Sequence, residues 1–116
     1  MTYEEFFKKE EATIEDVRDI LLEHMLKVER EYRTGDEYTR LNQNTLAVCD
    51  ALMRALLLLY HYKEGYISIE DLARCVASEH FRNRHNAYGE IMRQVLEMVR
   101  HLITGGVTGD EETNPS

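Results

Sequence analysis

The chain has 116 residues, 43% of them apolar and 31% charged, with 14 Lys and Arg against 22 Asp and Glu for a formal net charge of −8. That is enough sequence for one domain, able to bury roughly 65% of its unfolded surface around one core without disulfide or metal staples. The sign of the charge excludes a whole-molecule field that favours RNA or DNA, and Asp50 and Arg54 interrupt the most apolar run, Leu46 to Tyr60, before it reaches the ~18 residues of a membrane span.

Pro115 is the one proline, so nothing breaks helices earlier in the chain, and an all-α fold is expected. Thr2 with Glu5 three residues on has the form of a capping box opening a short helical arm, whose apolar side is Tyr3, Phe6 and Phe7. Thr13 with Asp16 opens the next helix, where Ile14, Val17, Leu21, Met25, Val28 and Tyr32 recur at steps of three and four, with Leu22 and Leu26 widening the stripe. Gly35 is expected to end it in the left-handed conformation.

A second long helix is expected from about Glu37 to Lys63. Its apolar residues run nearly all the way round between Leu46 and Tyr60, as in a helix buried centrally or covered on a second face by another subunit. Asp50 and Arg54, four apart, are placed to pair. Gly65 closes it, and Ser68 with Asp71 predicts a third capping box opening a short helix that stops near Ser78 or Glu79. After a polar segment from His80 to Asn86, the last helix carries Tyr88, Ile91, Val95, Val99 and Leu102 on one face and ends at Thr104-Gly105-Gly106.

The expected architecture is therefore a four-helix, roughly antiparallel bundle with a short N-terminal helical arm, one domain over 1–106, and a flexible acidic tail over 107–116. Residues 1–37 hold twelve acids against six bases, residues 38–108 seven against eight, and the tail three against none. Cys49 and Cys75 sit among apolar neighbours and read as buried, reduced thiols in a cytoplasmic protein. The acidic N-terminus lacks the basic start and apolar core of a secretory signal.

Little in the chain has the spacing that catalysis needs. Neither a phosphate-binding glycine loop nor a His-Glu zinc motif occurs, and the carboxylate pairs Glu10-Glu11 and Glu70-Asp71 sit at helix starts, where they complement the dipole. Tyr60 to Asp71 resembles an EF-hand loop at Gly65, Ile67 and Asp71, but Tyr60 and Tyr62 stand where that loop supplies carboxylate or amide oxygens. His80 and His85 flank a turn without a third ligand nearby, so no metal and no cofactor is expected.

The segment from Phe81 to Tyr88 is the most unusual. Arg82 and Asn83 open a stretch that resembles the Arg-x4-His signature, with Asn directly after the Arg, of the HEPN ribonuclease superfamily, all-α dimers, although Ala87 holds the histidine position and His85 comes two residues early. The resemblance implies a general base and a cation converging on a scissile phosphate. A second fit takes Arg74 and His80 across the end of the third helix.

The excess of apolar surface points to a non-enzymatic helical protein-protein interaction module, an adaptor, small subunit or inhibitor that associates with itself or an obligate protein partner and not with a membrane. The alternatives are an RNA-binding or HEPN-like protein acting through Arg82, Asn83, Arg84 and His85, which would equally serve as anion or partner contacts, and an inhibitor that imitates nucleic acid through its acidic surface.

Overall fold

The computed structural model describes residues 1–36 and 43–105. Among these the protein is all-helical, with α1 Tyr3–Lys8, α2 Ile14–Thr34, α3 Gln43–Lys63, α4 Ile69–Arg82 and α5 Ala87–Ile103. The expected first turn of the long central helix, 37–42, and the acidic tail lie outside the described residues.

Helix starts follow the local chemistry. The Thr2 hydroxyl accepts from the Glu5 N–H at 3.1 Å while the Glu5 carboxylate accepts from the Thr2 N–H at 2.8 Å, and Thr13 and Asp16 repeat the exchange at 3.3 and 2.9 Å. Ser68 caps α4 through the Asp71 N–H at 3.0 Å, but the Asp71 carboxylate turns to Arg74, so this cap is one-sided. Gly65 has φ +85° and permits the reversal between α3 and α4 that a side chain would strain. Gly35 instead leaves α2 in extended backbone at φ −78°, contrary to the expected left-handed cap.

The fourth helix runs one turn further than its sequence suggests. His80 and Phe81 carry no breaking signal, so α4 continues to Arg82 and is closed by Asn83, whose side-chain amide donates to the Glu79 carbonyl at 2.9 Å. Arg74 and His80 therefore share one helix instead of straddling its end. The four residues 83–86 then turn the chain into α5, capped by Asn86, whose side-chain oxygen accepts from the Gly89 N–H at 3.0 Å.

α5 is the hub and touches each of the other four helices. Its residues Ile91, Met92, Val95, Leu96, Met98 and Val99 are buried against Val17 and Leu21 of α2, Ala51, Leu52, Ala55, Leu58 and Leu59 of α3, and Leu72 and Val76 of α4. Phe6 of α1 is completely buried in the same cluster. Such an arm is too short to be helical alone, so its order comes from docking. Lys9 helps, since its ammonium reaches the buried Asp16 carboxylate at 2.8 Å and pins the end of α1 to the start of α2.

Two expectations about α3 change. Arg54 points its guanidinium toward Glu79 of α4 at 3.9 Å instead of pairing with Asp50 along its own helix. Cys49 is free and, like Cys75, only half-buried. By length and composition, Asn44–Lys63, with mean hydropathy 1.2, would suffice to cross a membrane, and it is the one such helix among the described residues. Here it packs against α2, α4 and α5.

Candidate functional site

Among the described residues, α3 buries one side and leaves the other uncovered. Ala51, Ala55, Leu58 and Leu59 point into the core, while Leu46, Met53, Leu57 and Tyr60 lie on the opposite face at successive steps of seven, four and three. Those four, with Leu22 and Leu26 of α2, are between 41% and 61% exposed. Scattered exposed leucines are ordinary, but a row along one helix face with more beside it on the next helix marks an interaction surface.

The row borders a groove between α2 and α3 of about 340 Å³, lined on the α2 side by Ile14, Glu15, Arg18 and Leu22 and on the α3 side by Leu56, Leu59, Tyr60 and Lys63, with Glu64 beyond. An ion pair between Lys63 and Glu15 crosses its end and fixes α2 and α3 as antiparallel neighbours. Lys63 holds the Glu15 carboxyl below its usual range. The charged side chains of the groove and the α3 row balance: Glu15, Asp50 and Glu64 against Arg18, Arg54 and Lys63.

The basic segment sits at the α4–α5 turn, and most of it is already engaged locally. Arg82 donates to Glu79 at 2.7 Å. Arg84 donates to the Phe81 carbonyl at 2.9 Å and lays its guanidinium 4.6 Å from the centre of the exposed Phe81 ring. Asn83 is the helix cap, and His85 stands exposed in the turn. Arg82, Asn83, Arg84 and His85 are thus adjacent in space, but they line no cavity described here, and Ala87 opens α5 where the ribonuclease signature carries its histidine.

The chemistry of that turn centres on Glu79, which the sequence reading missed. Its carboxylate accepts from the Tyr88 hydroxyl at 2.6 Å and from Arg82, with Arg54 nearby, joining α3, α4 and α5. The Tyr88 hydrogen bond, then Arg82 and Arg54, hold the Glu79 carboxyl below its usual range despite partial burial. Burial, with Glu79 beside it, pushes the Tyr88 hydroxyl up to about 12. A Tyr kept neutral and a Glu kept charged form a structural junction. Only a spacing of nine between Glu79 and Tyr88, across a turn, hinted at it.

A similar junction holds the arm. The Tyr3 hydroxyl donates to Glu97, which also accepts from Arg93 at 2.7 Å. The His101 ring packs edge-on against Phe6 and Phe7, and its Nε2 has no hydrogen-bond partner among the described residues. His80 donates through Nδ1 to the Gly89 carbonyl at 2.9 Å and is half-buried. Among the described residues, no three His, Cys, Asp or Glu side chains converge as metal ligands.

No protein-family model matches the chain, and comparisons with curated proteins and with solved structures give no match either, so the functional reading rests on these residues and their geometry.

Proposed function

We propose that this protein is a helical protein-protein interaction module, non-enzymatic, whose recognition surface is the uncovered face of α3 with the adjoining groove and the leucines of α2. The observation that carries the reading is the row of Leu46, Met53, Leu57 and Tyr60, left exposed on a helix whose other side is core. Fully burying a side chain of this size contributes about 1.5–3 kcal/mol, so covering several half-exposed ones at once gives a partner a continuous apolar seat. The balanced charges at the margin suit a partner that is neither strongly acidic nor strongly basic.

The alternative use of Arg82, Asn83, Arg84 and His85 against RNA draws less support, because both arginines are engaged with groups of their own chain. Site-specific photo-crosslinking tests the interaction reading. A photoreactive residue at Leu57, introduced in cells that make the protein, is expected to give identified protein adducts, while one at exposed Arg100 gives none. Adducts that are absent at position 57, or equally frequent at both positions, would overturn it.

A further inference from the structure

We infer that the uncovered face of α3 is covered by the same face of a second copy, packed antiparallel about a two-fold axis that crosses the helix at the level of position 52, with Asp50 of each copy opposite Arg54 of the other. This rests on the interaction reading above and names its occupant.

Spacing gives the first support. Leu46, Asp50, Met53, Leu57 and Tyr60 follow each other at four, three, four and three residues, the repeat that keeps a stripe facing a second helix over several turns. Four of the five positions are apolar. The polar exception, Asp50, sits where a single polar residue fixes register and orientation.

Charge decides the direction. Asp50 and Arg54 are one turn apart, with Arg54 on the margin of the same stripe, half-exposed and 3.9 Å from Glu79 of its own chain, a longer contact than the 2.7 Å pair of Arg82 with the same carboxylate. A parallel copy in register would oppose Asp50 to Asp50 and Arg54 to Arg54. An antiparallel copy opposes Asp50 to Arg54 twice, and the same register brings Leu46 within one residue of level with Leu57 at both ends, with the two Met53 side chains one residue either side of the middle. An interface of this kind uses one patch twice, so it must be self-complementary. A face with three acids and three bases at its margin, on a molecule of net charge −8, meets that requirement.

The size is sufficient. A 21-residue helix is about 30 Å long, and with α2 alongside, the face is two helices or about 20 Å wide. That is on the order of 600 Å² in projection, comparable with the ~800 Å² of accessible surface each partner gives to a standard interface.

The test is a charge-swap complementation on the full chain, read as mass by sedimentation equilibrium, with circular dichroism confirming that each variant is helical. Wild type is expected at twice 13.7 kDa. Asp50→Arg and Arg54→Asp alone each place like charges in opposition, and each is expected to associate at least about tenfold more weakly, the equivalent of one lost favourable contact. Mixed one to one, they are expected to recover the dimer, because both cross-pairs become attractive.

A helical wild type that is monomeric at all concentrations, a dimer indifferent to either swap, or variants that fail to recover on mixing would overturn the second copy. So would flotation of the monomer with phosphatidylcholine vesicles, which would assign the apolar face to a membrane. A monomer that still gives adducts with another protein from position 57 defeats only the second copy. A monomer with no adducts there defeats the interaction reading as well.

Discussion

The backbone of α5 at Gly89 passes so close to the end of α4 that a Cβ on this residue would lie 1.9 Å from the carbonyl oxygen of Asn83. The atom it would meet is backbone, tied into the turn because that carbonyl accepts from the Asn86 N–H at 3.1 Å. Gly89→Ala should gain about 1 kcal/mol from helix propensity and lose more from forcing the helices apart. We expect a net destabilisation of about 3 kcal/mol, the upper range for overpacking, measured by urea denaturation. Unchanged stability would mean that the α4–α5 turn gives way.

Gly65 makes the opposite case. Nothing lies within 4 Å of a Cβ there, but φ is +85°. Gly65→Ala should therefore cost only the conformational strain, about 1 kcal/mol, with no change in the contacts of α3 or α4. A loss as large as that at Gly89 would show that the link between these helices is more crowded than it is here.

The arm should detach without unfolding the rest. Phe6→Ala removes a fully buried ring and should cost about 3–5 kcal/mol. Tyr3→Phe, which deletes only the hydroxyl bonded to Glu97, should cost about 1 kcal/mol at this half-buried site. Hydrogen exchange should show α1 opening in both variants before α3 and α5, and simultaneous opening of all helices would contradict a docked arm.

His24 and the lowered carboxyls act on stability in different pH windows. Burial, then Lys27, lowers the His24 pKa. The folded form thus disfavours its proton, and stability should begin to fall as pH drops below the unfolded value of about 6.5. Burial alone would raise the Asp16 carboxyl, but the Lys9 hydrogen bond and the Thr13 backbone outweigh it and leave the pKa lowered. The stability Asp16 contributes is complete above its unfolded value of about 3.9 and is lost as pH falls through the folded one. Denaturation midpoints should decline in two stages, with His24→Gln removing the upper and Asp16→Asn reducing the lower, to which the lowered Glu15 and Glu79 carboxyls also contribute, at a cost for Asp16→Asn of about 1–2 kcal/mol at neutral pH.

A low-salt titration with labelled single-stranded RNA should leave wild type and an Arg82→Ala/Arg84→Ala variant equally unbound, since Glu79 and Phe81 already occupy these guanidinium groups. Binding with a steep salt slope that the variant loses would restore the nucleic-acid reading.

Much of this fold is legible in the residues. Thr2, Thr13 and Ser68 mark three helix starts, and the steps of three and four in α2 and α5 mark the faces that became core. The end of α4 is not legible, because His80, Phe81 and Arg82 are compatible with helix and the stop comes from the Asn83 amide folding back on Glu79. Arg54 illustrates the limit at the candidate site. Local spacing assigns it to Asp50, but the tertiary fold brings up Glu79, a better-placed carboxylate from 25 residues further on. That α3 is apolar nearly all round is plain from sequence, whereas which of its sides stays open depends on where α2, α4 and α5 settle.

The balance of charge around the α3 face, set against the −8 of the whole chain, separates two timescales. Two such molecules repel at a distance in any orientation, and least when the neutral faces turn toward each other. Salt shortens the reach of the repulsion to roughly 10 Å at 0.1 M and leaves a closed apolar seam untouched. For the proposed pair, added salt should therefore speed the encounter, the reverse of electrostatic steering, and leave the time spent together to the apolar side chains of α3.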